Sequence, residues 1–152
     1  MYFRFFTLVS LFCSVLSATA QNATLSKKEI KWTGFETWST PHTSKKVISF
    51  DDAQYPSDNE LPYFIEKISK ENGQEIKFNV VNPVFQPVTS EELSHLKDKN
   101  IPSEISVTSY SATDRGTEIQ TFQLLPFVKK GEQTLKLTNF DIQVEKIAGA
   151  QK

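Results

Sequence analysis

The sequence predicts an all-β domain, an antiparallel β-sandwich or open barrel with one short helix, following a cleaved signal peptide. Three observations predict it. Apolar and polar residues alternate through short segments such as Glu29-Ile30-Lys31-Trp32-Thr33 and Glu75-Ile76-Lys77-Phe78-Asn79-Val80-Val81, the pattern of strands buried on one face. Clusters of Gly, Pro, Asn and Asp, which turns select, separate these segments at short and regular spacing. Only one segment, 89–98, carries a helix signature, which leaves a mixed α+β fold without the helices it needs.

Residues 1–20 read as a secretory signal. Arg4 supplies the positive start, 5–16 is a short apolar core, and Ala18-Thr19-Ala20 offers the small residues that precede cleavage before Gln21. The apolar run is shorter than the roughly 20 residues that span a bilayer, so no integral membrane span is expected in the mature chain. Cys13 leaves with the signal, and the mature chain then has no cysteine, which removes disulfides, thiol nucleophiles and cysteine metal sites. Loss of Arg4 takes the formal net charge from −1 to −2, a balance without the basic face that a nucleic acid or an anionic membrane needs. The mature chain is the size of one domain: a polar linker at 21–28, a β domain at 29–146, and a tail or start of a linker at 147–152.

Within that domain, Ile30 and Trp32 share one face of a strand, and 34–46 reads as a loop before the strand Lys46-Val47-Ile48-Ser49-Phe50. A polar turn region at 51–62 ends in Pro62, after which Tyr63-Phe64-Ile65-Glu66-Lys67-Ile68 is a strand. The turn Glu71-Asn72-Gly73-Gln74 makes a hairpin of that strand and 75–81. Pro83 and Pro87 confine 82–88 to an edge strand or an irregular crossing. Thr89-Ser90-Glu91-Glu92 has capping-box spacing, so 89–98 is a short surface helix with few residues facing the core. Alternation returns at 103–113, and Asp114-Arg115-Gly116 turns the chain into 115–145, which reads as one long hairpin. Its first arm runs through Ile119, Phe122, Leu124 and Leu125, its turn is Lys129-Lys130-Gly131-Glu132, and its well-buried return arm holds Leu137, Phe140, Ile142 and Val144. Pro126 bends the first arm or places it at a sheet edge.

Little in the chain points to chemistry. His42 and His95 stand alone, and neither a Gly-x-Ser-x-Gly elbow nor a Gly-rich phosphate loop is present. No catalytic, cofactor-binding or metal residues are assigned, and no cofactor is expected. Asp51, Asp52, Asp58 and Glu60 could offer carboxylates to Ca²⁺, but they lack EF-hand spacing and read as a solvated loop. Trp32 and Tyr63 are expected in the core, whereas Trp38 and Tyr55, in predicted loops, are the candidates for contact with a ligand or partner. Asn22-Ala23-Thr24 matches a glycosylation acceptor.

The order Leu61-Pro62-Tyr63-Phe64, Asn82-Pro83-Val84-Phe85-Gln86-Pro87-Val88, Asp114-Arg115-Gly116, Leu124-Leu125-Pro126-Phe127, Gly131 and 135–144 resembles the N-terminal β domain of the type IX secretion system sortase. These sortases are the PorU-like members of the gingipain cysteine peptidase family, and the resemblance spans about residues 30–145. In that family a β domain precedes a larger Cys-His peptidase region acting at the Bacteroidota outer membrane, where it cleaves sorting domains and attaches cargo to lipopolysaccharide. No catalytic residue carries over, because no cysteine follows Cys13. The resemblance therefore implies a non-catalytic, prodomain-like module, either a fragment of the sortase or a free-standing copy, exported to the periplasm, outer membrane or cell surface. Its partner would be the cognate peptidase region or secretion components. A secreted carbohydrate- or peptide-binding β-sandwich using Trp38 and Tyr55 is the competing reading. A peptidase inhibitor acting through Lys45-Lys46 or Arg115 is a third.

Overall fold

The computed structural model describes residues 23–149. The expected signal segment at 1–20, Asn22 of the expected acceptor motif and residues 150–152 of the expected tail lie outside the described residues. Among the described residues the chain is all-β with one short helix. Its strands are β1 (Ala23–Glu29), β2 (Trp32–Ser39), β3 (Ser44–Phe50), β4 (Phe64–Lys70) and β5 (Glu75–Pro87), then helix α1 (Ser90–Leu96), then β6 (Ser106–Asp114), β7 (Thr117–Leu125), β8 (Phe127–Lys130) and β9 (Gln133–Ile147). One sheet has the order β1-β9-β5 with β8 also on β9, a second has the order β4-β7-β6, and β2-β3 is a separate hairpin. Every pairing between these strands is antiparallel.

The two larger sheets pack face to face. Phe64 meets Phe140 edge-on with ring centroids 5.3 Å apart, and Phe78 stacks on Phe122 at 4.4 Å. Leu124, Leu137, Phe140 and Ile142 are buried between the sheets with Ile30 and Phe50. The return arm is thus among the best-buried strands, as its apolar alternation predicts. A second cluster of Ile48, Leu61, Leu96, Leu125 and Phe127 lies under the β2-β3 hairpin and α1.

The long hairpin expected over 115–145 is divided between the sheets. Ile119, Phe122, Leu124 and Leu125 lie on β7, which pairs with β4 and β6, and only β8 folds back on β9, from Phe127↔Lys136 to Lys130↔Gln133. Pro126 is the reason: it has no N–H for a ladder, it is buried, and its carbonyl accepts from the Leu137 N–H at 2.9 Å where the chain passes between sheets. The hairpin expected of 63–68 and 75–81 is also absent. Gly73 (φ +75°) and the Gln74 N–H to Glu71 carbonyl bond form the predicted turn, but β4 pairs with β7 and β5 with β9. Their apolar faces oppose each other across the core instead of lying side by side.

Two further expectations change. The polar segment expected to be a linker forms β1 from Ala23, paired along its length with β9. Backbone pairing needs no apolar side chains, so alternation could not reveal it. The expected loop at 34–46 is mostly strand: β2 continues to Ser39 past a register shift at Gly34 (φ +88°), and Thr40–Thr43 closes a hairpin with β3. Elsewhere local chemistry reads through. β5 is an edge strand with register shifts around Asn82 and Pro83, and Arg115 (φ +48°) and Gly116 (φ +82°) make a two-residue turn with φ positive at both positions.

Helix α1 has the predicted capping box, in which the Thr89 hydroxyl accepts from the Glu92 N–H and the Glu92 carboxylate accepts from the Thr89 N–H. It is anchored more deeply than a surface turn. Glu92 and Leu96 are buried, and the other Glu92 oxygen accepts from Lys136 Nζ at 2.7 Å. Lys136 is also buried, and its ammonium lies 5.1 Å from the centre of the Trp32 ring. Desolvating either charge alone is costly, so each requires the other. Lys136→Met therefore destabilises the fold by about 3–5 kcal/mol. Glu92→Gln combined with Lys136→Met, which keeps the cap and removes both charges, regains most of that loss in urea unfolding. Equal losses in the single and double variants would show that the pair is not coupled.

Candidate functional site

Trp38 and Tyr55 come from different elements and meet in space. Trp38 lies near the end of β2, opposite Lys45 of β3. Tyr55 follows a tight turn with Asp52 at φ +63°, where Gln54 and Tyr63 exchange both backbone hydrogen bonds. The two rings pack edge to face with centroids 4.6 Å apart, and both residues are half-buried. Trp38 is therefore on a strand, not on the predicted loop.

The polar groups around the pair are engaged. The Tyr55 hydroxyl donates to the Ile48 carbonyl at 2.8 Å, and burial pushes its pKa above the ordinary 10.0. Lys45 Nζ lies 5.8 Å from the centre of the Trp38 ring and donates to Glu60, a bond that holds the Glu60 carboxyl below its usual pKa. The aromatic pair thus fastens the 51–60 segment to the β2-β3 hairpin.

Tyr55 also walls an open groove of about 570 Å³ on the outer face of the β4-β7-β6 sheet. Ile65, Lys67 and Gln123 form its floor, Pro56 extends the Tyr55 wall, and Tyr110 of β6 closes the other side. Trp38 does not line it. Asp52 and Gln54 contribute polar groups at the rim. The volume suits a small ligand or a short stretch of chain. Sequence reasoning gave Tyr110 no role in binding. The available signal was an aromatic residue amid Ser and Thr on the polar side of a strand.

The remaining candidates are dispersed. Trp32 packs in the core as expected, 5.1 Å from Phe50 and 5.2 Å from Phe127, with its indole N–H donating to the Leu137 carbonyl. Tyr63 borders the second cluster. His42 is exposed, and the His95 ring lies against Phe35 at 4.7 Å. Asp51, Asp52 and Asp58 are exposed while Glu60 is engaged by Lys45, and no metal-holding group of three or more His, Cys, Asp or Glu occurs among the described residues. No helix among them is long and apolar enough to cross a membrane.

The Tyr55 environment has a pH consequence. The neutral phenol is favoured in the folded state, so the unfolded chain ionises first, and this group's stabilisation is intact below pH 10 and declines as the pH rises beyond it. Tyrosinate absorbance should show one phenol titrating above the ordinary range, missing in Tyr55→Phe. That variant, which keeps the ring pair, loses about 1 kcal/mol at neutral pH with the hydrogen bond to Ile48. An unchanged titration curve would mean that Tyr55 is solvated.

Neither a protein-family model nor a curated protein matches the sequence. The solved structures it is similar to include two from Porphyromonas gingivalis. One is the complex of Porphyromonas gingivalis RgpB pro- and mature domains, 16% identical with a TM-score of 0.56 over 90% of this chain and 86% of that chain. The other concerns the zymogenic latency of gingipain K from Porphyromonas gingivalis, 14% identical with a TM-score of 0.54 over 87% of this chain and 96% of that chain. At these identities the likeness is one of fold, and the chain has a gingipain-prodomain-like β fold.

Proposed function

We propose that this chain is a non-catalytic, prodomain-like β module that packs on a gingipain-like cysteine peptidase region. Within that class, the order of its turn and strand motifs favours the type IX secretion sortase, with work at the periplasm, outer membrane or cell surface. The observation that carries the reading is a fold likeness covering nearly the whole chain, to structures whose subjects are a pro- and mature-domain complex and zymogenic latency. A module of this kind acts by contact and supplies no reacting group.

The test is association with Cys-His peptidase regions encoded in the same genome. The chain lacking residues 1–20 should bind one of them in isothermal titration, and the pair should co-elute. Peptidase rates at saturating module then separate an occluding partner from a folding or docking partner. Absence of binding to every such region would end the proposal.

The groove favours one competing reading, a secreted carbohydrate- or peptide-binding sandwich. Aromatic walls at Tyr55 and Tyr110 and polar groups at Lys67 and Gln123 suit a polyhydroxylated or extended ligand. Glycan-array binding lost in Lys67→Ala/Tyr110→Ala, two exposed positions of the groove, would support it, and binding that survives both changes would exclude it.

A further inference from the structure

A sheet edge is a row of unpaired N–H and C=O groups, and proteins guard such edges with lysine, proline or irregular register. Most edges here are guarded. β1 carries Lys27 and Lys28, β3 carries Lys45 and Lys46, and β8 carries Lys129 and Lys130. β2 has its register shift at Gly34, and β5 has Pro83, Pro87 and two register shifts. β4 has Lys67 and Lys70, and its Ser69 carbonyl accepts from Lys146 Nζ. β6 differs from all of these. Its sequence, Ser-Val-Thr-Ser-Tyr-Ser-Ala-Thr-Asp, has no lysine or proline, and it pairs with β7 over nine residues without a register shift.

The turn at Arg115-Gly116 determines which groups of β6 are free. In a two-residue hairpin the flanking residues, Asp114 and Thr117, form the hydrogen-bonded pair, and the pattern then alternates along the ladder. Ser106, Thr108, Tyr110 and Ala112 therefore bond to β7. Val107, Ser109, Ser111 and Thr113 direct their N–H and C=O groups to the open side.

We propose that β6 is a dimerisation edge, pairing antiparallel with β6 of a second copy about a two-fold axis at Tyr110 and joining two three-stranded sheets into one. The strand is complementary to itself in this register. Tyr110 faces Tyr110 of the second copy in a non-hydrogen-bonded pair, where side chains approach most closely, and Ser109 faces Ser111 with outward backbone groups matched. Thr108 faces Ala112, and Val107 faces Thr113. Asp114, the single charge on the strand, faces Ser106, so no like charges meet. The contact is isologous and closes as a dimer. It also accounts for Tyr110, a large aromatic left 50% exposed on this edge.

Sedimentation equilibrium of the chain lacking residues 1–20, which keeps every described element, tests this. The wild-type chain should be dimeric at high micromolar concentration. Tyr110→Lys should weaken dimerisation by about tenfold or more, because like charges then sit directly opposite. Mixing Tyr110→Lys with Tyr110→Glu should restore a dimer. Thr108→Lys/Ala112→Lys, at two exposed positions that face each other across the axis, provides a second disruption if Tyr110 variants fold poorly, with folding checked by circular dichroism. A monomeric wild-type chain would overturn the proposal. So would a wild-type dimer that persists in folded lysine variants, or a charge-swapped mixture that stays monomeric.

Discussion

The absence of an N–H on Pro126 is the constraint on which the architecture depends. The central strands of the two larger sheets, β7 and β9, come from one stretch of sequence, and without a break their apolar alternation would let them pair with each other. Pro126 ends the ladder, sits buried at the crossing, and gives its carbonyl to Leu137. Phe122 and Leu124 then face Phe78, Leu137 and Phe140 across the core instead of lying beside them in one sheet. β1, β5 and β8 then pair with β9, and β4 and β6 with β7.

Beside this apolar seam, one charged contact is buried among the described residues, Glu92 with Lys136. Both oxygens of Glu92 are engaged, one by Lys136 and one by the Thr89 N–H, so the carboxylate joins the start of α1 to the central strand of the larger sheet. Trp32 covers the ammonium and hands its own N–H to Leu137. A seven-residue helix has little stability of its own. Here burial of Leu96 and the paired charges hold it.

The functional reading stands on two levels. The fold likeness to gingipain structures extends over nearly the whole chain and shows a gingipain-prodomain-like β fold. The proposed sortase parentage rests on the order of short motifs. The Trp38 and Tyr55 rings pack together, and Tyr55 walls a groove whose other side is Tyr110 of β6, so the groove and the unguarded β6 edge share that residue.

What the sequence by itself determined were the features set by neighbouring residues. These are the all-β class, the capping box at Thr89 and Glu92, the turns at Gly73, Gly116 and Gly131, the edge character of 82–88, and the apolar face of β9. Each depends on local φ preference, a missing N–H or period-two alternation, which a linear reading can detect. Only the tertiary structure decided which strands pair, that 23–29 is a strand, that Lys136 is buried, and that Tyr55 and Tyr110 share a groove. The physical reason is that backbone hydrogen bonds are alike for every residue. Pairing is chosen by how whole apolar faces fit across the core, through contacts between residues far apart in the chain.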